Sequence, residues 1–128
     1  MKYFIAFLLL SSIVHAQSIS TLEFVGVIDG HRNEAKFYFE NNWKFLRIEA
    51  IKKGYIDSYE LLISDSEDRE IFDILLMTTY RDQKQYKNRE KHFAEIMKEN
   101  EERGLKLLNK LKPKEFRQSL FAKTAYIY

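Results

Sequence analysis

The segment at residues 71–80 constrains the fold more than any other part of this chain, because it is a β-rich run that is apolar on both faces. Alternate side chains of a strand point to opposite sides of its sheet. Ile74 and Leu76 are therefore expected on one face, and Leu75 and Met77 on the other. A strand with two apolar faces is typical of a sheet that is covered on both sides.

Three other β-rich runs are predicted to pair with it, at residues 22–28, 56–63 and 116–128. The second and third strands are separated by a short charged connector and are predicted to form a hairpin. The chain contains 4 glycines and 1 proline, so few residues interrupt regular structure. Long elements joined by short loops are therefore expected.

A first long helix is predicted between the first two strands. Asn33 is a plausible N-cap before a helix that starts near Glu34 and ends at Gly54. Its apolar residues recur every three or four positions, which is the period of a helix with a buried stripe: Phe39, Trp43, Leu46 and Ala50.

A second long helix is predicted between the third and fourth strands. Asp82 is expected to cap its start, with Gln85 in the position of a capping box, and it ends near Gly104. A short additional helix is predicted at residues 105–111. The buried stripe of the long helix is expected to include Tyr86, Arg89 or Glu90, Phe93 and Met97, with Ile96 beside it.

The predicted order β-α-β-β-α-β is that of an α+β, ferredoxin-like fold with an antiparallel sheet. Two helices can cover only one face of a four-stranded sheet. Since the third strand is apolar on both faces, the second face needs a cover that this chain does not supply. A second copy of the chain, packed sheet against sheet, is the simplest cover, so a homodimer is predicted.

The first sixteen residues have the pattern of a cleavable signal peptide. Lys2 precedes an apolar run at residues 3–10, and Val14 and Ala16 occupy positions −3 and −1 of the predicted cleavage site. The run is too short for a spanning helix, which needs about 20 apolar residues. The expectation is an exported protein, periplasmic or secreted, with one domain at 17–128 and no membrane span after cleavage. An uncleaved anchor or a buried N-terminal helix is the alternative.

The charge balance excludes some classes of partner. The chain has 21 Lys and Arg against 19 Asp and Glu, and loss of Lys2 with the leader lowers the formal net charge from +2 to +1. This is too weak a basic excess for a general nucleic-acid binder. Residues 57–73 are mainly acidic and residues 105–117 mainly basic, which suits either a docking surface or solvated loops. The acidic run at 65–70 lacks the spacing of a calcium loop, and no metal site is predicted.

The element order is accompanied by three sequence stretches: Asn-Asn-Trp-Lys-Phe-Leu-Arg at 41–47, Gly-Tyr-Ile-Asp-Ser-Tyr at 54–59 and Leu-Met-Thr-Thr-Tyr at 76–80. Together they resemble the dimeric α+β barrel superfamily over essentially all of residues 17–128. Members include cofactor-free monooxygenases, haem-degrading enzymes and small proteins of unassigned role. The resemblance implies a dimeric barrel, with any substrate held in the cleft between sheet and helices.

Five residues are candidates for lining such a pocket: Trp43, Arg47, Tyr59, Tyr80 and His92. Trp43 and Arg47 are four apart on the first helix, where the guanidinium could stack on the indole or bind an anionic substrate. The resemblance places His92 where haem-degrading relatives have an axial histidine. The asparagine and tryptophan that those relatives also use have no counterpart here, so no cofactor is predicted. A packing role for the aromatic residues and a surface position for His92 are the alternatives.

Three functions remain open at this point. The protein could bind a small apolar or aromatic ligand between sheet and helices, act as a monooxygenase-like or haem-degrading enzyme, or serve as a structural partner of another envelope protein. An internal cavity near Trp43 and Tyr80 would favour the first two functions, and a filled core there would favour the third. The fold alone cannot distinguish them.

Overall fold

A computed structural model describes residues 16–65 and 71–128, which build an antiparallel sheet in the order β2-β3-β1-β4. The signal peptide predicted at 1–16 lies outside the described residues except for Ala16, and so do residues 66–70 of the charged connector. The four strands are β1 (Ile19–Val27), β2 (Ser58–Ile63), β3 (Ile74–Tyr80) and β4 (Arg117–Tyr126).

The helices lie between these strands as the ferredoxin-like order requires. Helix α1 (Arg32–Tyr38) continues through a π-helical turn (Phe39–Trp43) into α2 (Lys44–Lys52), between β1 and β2. Between β3 and β4 the chain forms α3 (Gln83–Lys87), α4 (Arg89–Glu99), a 3-10 turn (Glu101–Arg103) and the short α5 (Pro113–Phe116). The predicted fold class and antiparallel sheet are therefore confirmed.

Strand β3 lies at the centre of the sheet, paired with β1 on one side and β2 on the other. The side chains of Ile74, Leu76, Thr78 and Tyr80 are buried on the face that the helices cover. The strand begins at Ile74 rather than at Ile71. It starts late because the carboxylate of Asp73 accepts a hydrogen bond from the backbone N–H of Val27 (2.7 Å), which ends the regular ladder.

The helix boundaries follow the local signals in part. Asp82 caps α3 as predicted, since its Oδ1 accepts a hydrogen bond from the backbone N–H of Gln85 (2.9 Å). Gly54 ends the first helical segment with a φ of +70°, a conformation that glycine adopts without strain. The predicted Asn33 cap is wrong. The helix begins one residue before it, because the backbone N–H of Ala35 already bonds to the carbonyl of His31 (3.1 Å).

The helix predicted at residues 105–111 is absent, and this part of the chain runs without regular structure towards α5. The side chain of Asn42 bonds both to the backbone N–H (2.8 Å) and to the carbonyl (2.7 Å) of Lys106. Those two backbone groups are therefore not available for a helical ladder. Pro113 starts α5 instead of stopping a helix, in the first-turn position that suits proline.

The buried stripe of the second long helix differs from the prediction. Ile96 is fully buried, whereas Met97 is 58% exposed. Tyr86, Phe93 and Ile96 pack on the same apolar cluster, whereas Met97 lines the cleft beside Arg47. A helical stripe can continue from Phe93 three or four residues later, and the packing of α4 against the core selects the residue three positions on.

Strand β4 contains a bulge opposite the Phe24–Val25 step of β1. Phe24 pairs with Phe121 and Val25 pairs with Ser119, which leaves Leu120 as the extra residue. A Cβ placed on Gly26 would lie 3.3 Å from Leu120 Cδ2, so Leu120 occupies the space that a side chain on Gly26 would need. The side chains of Leu120 and Phe121 therefore do not follow the simple alternation of a regular strand, because the bulge shifts it by one residue.

The sheet face opposite the helices is apolar, and we call it the open face. Its centre is the ring of Phe24, which stacks on Phe121 at a centroid distance of 4.3 Å and meets the edge of Phe72 at 5.1 Å. The described helices pack on the other side of the sheet. The apolar residues of the open face are Leu22, Phe24, Leu62, Phe72, Leu75, Met77 and Phe121.

Across residues 16–65 and 71–128, no helix combines the length and the hydrophobicity that crossing a bilayer requires.

The phase of helix α4 can be tested with two adjacent substitutions. Ile96→Ala should lower the free energy of unfolding by about 2–5 kcal/mol, because it leaves a cavity in a filled core. Met97→Ala should change it by no more than about 0.5 kcal/mol, because most of that side chain is in solvent. Urea denaturation followed by circular dichroism, at one fixed protein concentration, measures both. If Met97→Ala lowered the free energy of unfolding more than Ile96→Ala, Met97 would belong to the buried stripe, as the sequence predicted.

Candidate functional site

Arg47 of α2 projects into the space between the helices and the sheet. Its guanidinium carbon lies 4.4 Å from the ring centroid of Trp43 and 4.3 Å from that of Phe93, which belongs to α4. Its Nε donates a hydrogen bond to Thr78 Oγ1 on β3 (3.2 Å). Two aromatic rings and one hydrogen bond therefore fix the position of this cation.

The electrostatics of Arg47 are unusual for an arginine. Burial lowers its pKa to about 10, while the nearby Tyr80 and Glu23 act in the opposite direction. The side chain still carries its positive charge at neutral pH. Among the described residues no ion pair involves Arg47, and its hydrogen bond is the one to Thr78. The guanidinium is thus a partly desolvated charge that makes no direct ion pair with a described carboxylate, and Glu23 acts on it without such a contact.

The π-helical turn at Phe39–Trp43 sets the direction of this side chain. A π turn inserts one extra residue into a helix and rotates everything that follows. The amide of Asn42 supports the turn by donating to the carbonyl of Tyr38 (2.8 Å), and Asn41 donates likewise to Phe37 (2.8 Å). Trp43 ends the turn and Arg47 follows one helical turn later, so both are oriented by it.

A cleft of about 320 Å³, open to solvent, lies beside the guanidinium, between β1 and β3 of the sheet and helices α2 and α4. We call it the Arg47 cavity. Apolar side chains from both helices form part of its wall, and two arginines and one glutamate supply its charged groups. Its lining consists of Thr21, Leu46, Arg47, Tyr80, Arg89, Glu90, Phe93 and Met97.

Two further polar groups of this cavity are held in defined positions. Arg89 lies 4.0 Å over the ring of Tyr86 and donates from Nη1 to the carbonyl of that residue (2.9 Å). Burial raises the pKa of Tyr80, which also interacts with the hydroxyl of Thr21. The phenol of Tyr80 is therefore neutral at pH 7.

The structure brings four of the five predicted residues together. Trp43 contacts Tyr59 edge to face, with centroids 5.9 Å apart, and stacks on Arg47. Tyr80 lies close enough to Arg47 for a mutual electrostatic effect. Of these four, Arg47 and Tyr80 line the cavity, Trp43 contacts the guanidinium, and Tyr59 contacts Trp43. This cleft is open to solvent and Trp43 does not line it, so it is not the internal cavity near Trp43 and Tyr80 that would favour a ligand-binding protein or an enzyme.

His92 lies apart from the other four. Its ring stacks on Tyr55 with centroids 3.7 Å apart and planes 7° from parallel. It lines a separate surface depression of about 310 Å³, together with Lys53 and Arg81. The lining of the Arg47 cavity contains no histidine, so the described residues there do not fit a haem with an axial histidine ligand.

Sequence reasoning did not identify Thr21, Arg89 and Glu90 as site residues. The signal for Arg89 was present, because it lies four residues before Phe93 on the same face of α4. Thr21 could not be found in this way, since it enters the cavity through the pairing of β1 with β3. The same pairing places Thr21 directly beside Thr78, the residue that holds Arg47.

Within the described residues, no group of three or more His, Cys, Asp and Glu side chains is arranged to hold a metal ion.

Comparisons with known proteins add little to this geometry. No protein-family model matches the sequence, and no curated protein matches it. A NIPSNAP-like domain protein from Burkholderia xenovorans superposes with a TM-score of 0.49 at 8% identity, over 89% of this chain and 85% of that one. A chlorite dismutase-like protein superposes with a TM-score of 0.44 at 8% identity, over 87% of this chain and 44% of that one. At these values neither likeness carries an argument, and the fold assignment rests on the strand order and connections described above.

The surroundings of His92 generate a pH prediction. The Tyr55 hydroxyl donates to Glu95 Oε2 (2.7 Å), and this hydrogen bond is the main reason that the pKa of Glu95 lies below its ordinary value. A carboxyl pKa that folding lowers stabilises the protein above its unfolded pKa, and this stabilisation is lost as the pH falls. Tyr55→Phe should raise the pKa of Glu95 and reduce the loss of stability on acidification.

Carbon-detected NMR titration of the Glu95 carboxyl measures this pKa directly. Lys53, at 3.8 Å from Glu95 Oε1, should keep part of the shift in the variant. Tyr59→Phe is the matched control, because it removes a tyrosine hydroxyl elsewhere, and it should leave the Glu95 titration unchanged. An unaltered Glu95 pKa in Tyr55→Phe would show that the hydrogen bond is not the cause.

Proposed function

We propose that this protein is exported and, as a homodimer, binds a small apolar or aromatic ligand in the Arg47 cavity. The observation that carries the proposal is the cavity itself, at about 320 Å³ between the sheet and the helices. Small-molecule sites have volumes of roughly 300–1,000 Å³, apolar walls and a few convergent polar groups. The Arg47 cavity has all three properties. A monooxygenase-like enzyme would use the same cavity, and a structural envelope protein would not need it.

The walls of the cavity support an apolar or aromatic ligand. Leu46, Phe93 and Met97 contribute its apolar part. Met97 is 58% exposed, so it lies at the solvent side, where a ligand would cover it. Burial of apolar surface contributes about 25 cal/mol per Å². A ligand with an apolar ring would gain this contribution from Met97 and the adjoining wall.

The open face supports the homodimer. Leu62 is 48% exposed and Phe121 is 42% exposed, although both lie within a continuous apolar surface around Phe24. Apolar patches of this kind on a protein surface are typical of protein–protein interfaces. An interface between two copies through this face would cover both sides of β3. Export is supported by the charge, apolar run and small-residue order of residues 1–16.

Ligand binding can be tested on protein produced from the full-length sequence in a bacterial host. Native mass spectrometry should show a chain that begins at Gln17 and carries a co-purified small molecule. Isothermal titration calorimetry with a panel of one- and two-ring aromatic compounds then measures binding. Met97→Trp should abolish binding by filling the cavity, whereas Ala94→Trp, at an exposed position of the same helix, should not. Failure of every panel member to bind would contradict the proposal and leave the structural role.

The oligomeric state provides a second test, by light scattering on the chain from Gln17 onwards. The wild-type chain should be a dimer, and Phe24→Glu should be a monomer, because it places a charge at the centre of the open face. Ile51→Glu is the control, since Ile51 is an exposed apolar residue on α2, away from the sheet, and this variant should remain dimeric. A monomeric wild-type chain would overturn the dimer.

A further inference from the structure

We propose that the ligand of the Arg47 cavity is an aromatic or other apolar carboxylic acid, whose carboxylate is bound jointly by Arg47 and Arg89. This inference rests on the proposed function and adds the chemical class of the ligand. It follows from three features of the cavity: a fixed guanidinium with free donors, a charge without an ion pair in direct contact, and a size that suits one or two rings.

The first feature is the way in which Arg47 is held. Trp43 and Phe93 both lie against its guanidinium, and Thr78 accepts the hydrogen bond from Nε. The hydrogen-bonding groups that remain are the terminal N–H groups, for which the described residues supply no acceptor. A planar guanidinium offers such groups in a fork that matches the two oxygens of a carboxylate. Because the fork is already fixed, a ligand would lose little entropy in ordering it.

The second feature is the charge of the cavity. The lining contains two guanidinium groups, Arg47 and Arg89, and one carboxylate, Glu90. Arg47 is partly desolvated, and although Glu23 acts on it electrostatically, no described carboxylate forms an ion pair with it, so an anion in direct contact would stabilise this charge. The phenol of Tyr80 and the hydroxyl of Thr21 are neutral groups that can donate to an anion. An anionic group is therefore favoured in this cavity over a cationic one.

Arg89 lines the same cavity as Arg47, so its guanidinium can bind a ligand there together with that of Arg47. Its guanidinium stacks on Tyr86, the ring of which meets Tyr80 at a centroid distance of 5.6 Å. Of its donors, Nη1 is used by the carbonyl of Tyr86. Its other terminal nitrogen remains for a ligand at the cavity that both arginines line.

The third feature is size. At about 320 Å³ the cavity lies at the lower limit of small-molecule sites, which start at roughly 300 Å³. One ring or two fused rings can rest on Phe93, Leu46 and Met97 while a carboxylate reaches the two arginines. A multi-ring macrocycle needs more room.

The test compares two probes that differ in charge but not in shape, 2-naphthoate and 2-naphthamide, by calorimetry at pH 7 with the chain from Gln17 onwards. All described strands and helices follow that residue. The acid should bind at least about tenfold more tightly than the amide, since charge-assisted hydrogen bonds are roughly twice as strong as neutral ones. Arg89→Gln should remove most of this difference by weakening the acid alone.

Arg103→Gln is the matched control. Arg103 also stacks on an aromatic ring, that of Phe45 at 4.0 Å, but it does not line the Arg47 cavity. This variant should keep the preference of the wild type for the acid. Arg47→Lys, which retains a charge but loses the fork, should bind the acid less tightly and the amide as before. The ratio of the two affinities is the decisive quantity, because a general loss of folding would weaken both probes alike.

The outcomes separate this inference from the proposed function. Equal binding of acid and amide would overturn the carboxylate assignment and leave the ligand-binding function intact. Binding of neither probe, nor of any other aromatic compound in the panel, would overturn both. An acid preference that survives Arg89→Gln would contradict the joint role of the two arginines.

Discussion

The contacts of Arg47 with Trp43 and Phe93 link the two apolar clusters of the core, which are otherwise separate. One ring belongs to the first helical segment and the other to α4, while the hydrogen bond to Thr78 reaches the central strand of the sheet. A single cation thus connects both helical segments, α2 and α4, to β3. The apolar core is divided into two clusters, one containing Val25, Phe39 and Leu76 and the other Ala50, Ile56 and Ile96. Trp43 packs on the first cluster and Phe93 on the second, so Arg47 lies at their junction.

A charged residue at such a junction does not favour stability. A buried charge loses hydration, and apolar residues of similar volume commonly fill such positions with no loss of stability. The desolvation of Arg47 is evident in its lowered pKa, and the described residues do not offer it an ion pair. Natural proteins accept costs of this kind mainly at sites of function. The geometry of the Arg47 side chain therefore supports the proposed binding site, without help from the distant structural likenesses.

The two faces of the sheet differ in what they contain. The face under the helices contains the core and the Arg47 cavity, while the open face contains an aromatic cluster around Phe24 that no described helix covers. The bulge at Leu120 and the side chain that it brings against Gly26 add apolar surface beside this cluster. One small domain can therefore use opposite faces of a single sheet for a ligand and for a second copy.

The sequence by itself determined the strands, the antiparallel ferredoxin-like order, the Asp82 cap and the stop at Gly54, because periodicity, capping and turn conformation depend on residues that are close along the chain. It also brought Trp43, Arg47, Tyr59 and Tyr80 into one hypothesis, since two of them share a helix face and two lie on predicted strands. Only the tertiary structure decided that Ile96 and not Met97 is buried, because the packing of α4 against the core selects the residue three positions after Phe93 and not the residue four positions after it. Only the tertiary structure placed His92 against Tyr55, away from the cavity, and brought Thr21 and Arg89 into it. Those positions depend on strand pairing and helix packing between residues that are far apart in the chain, so a local sequence pattern cannot predict them.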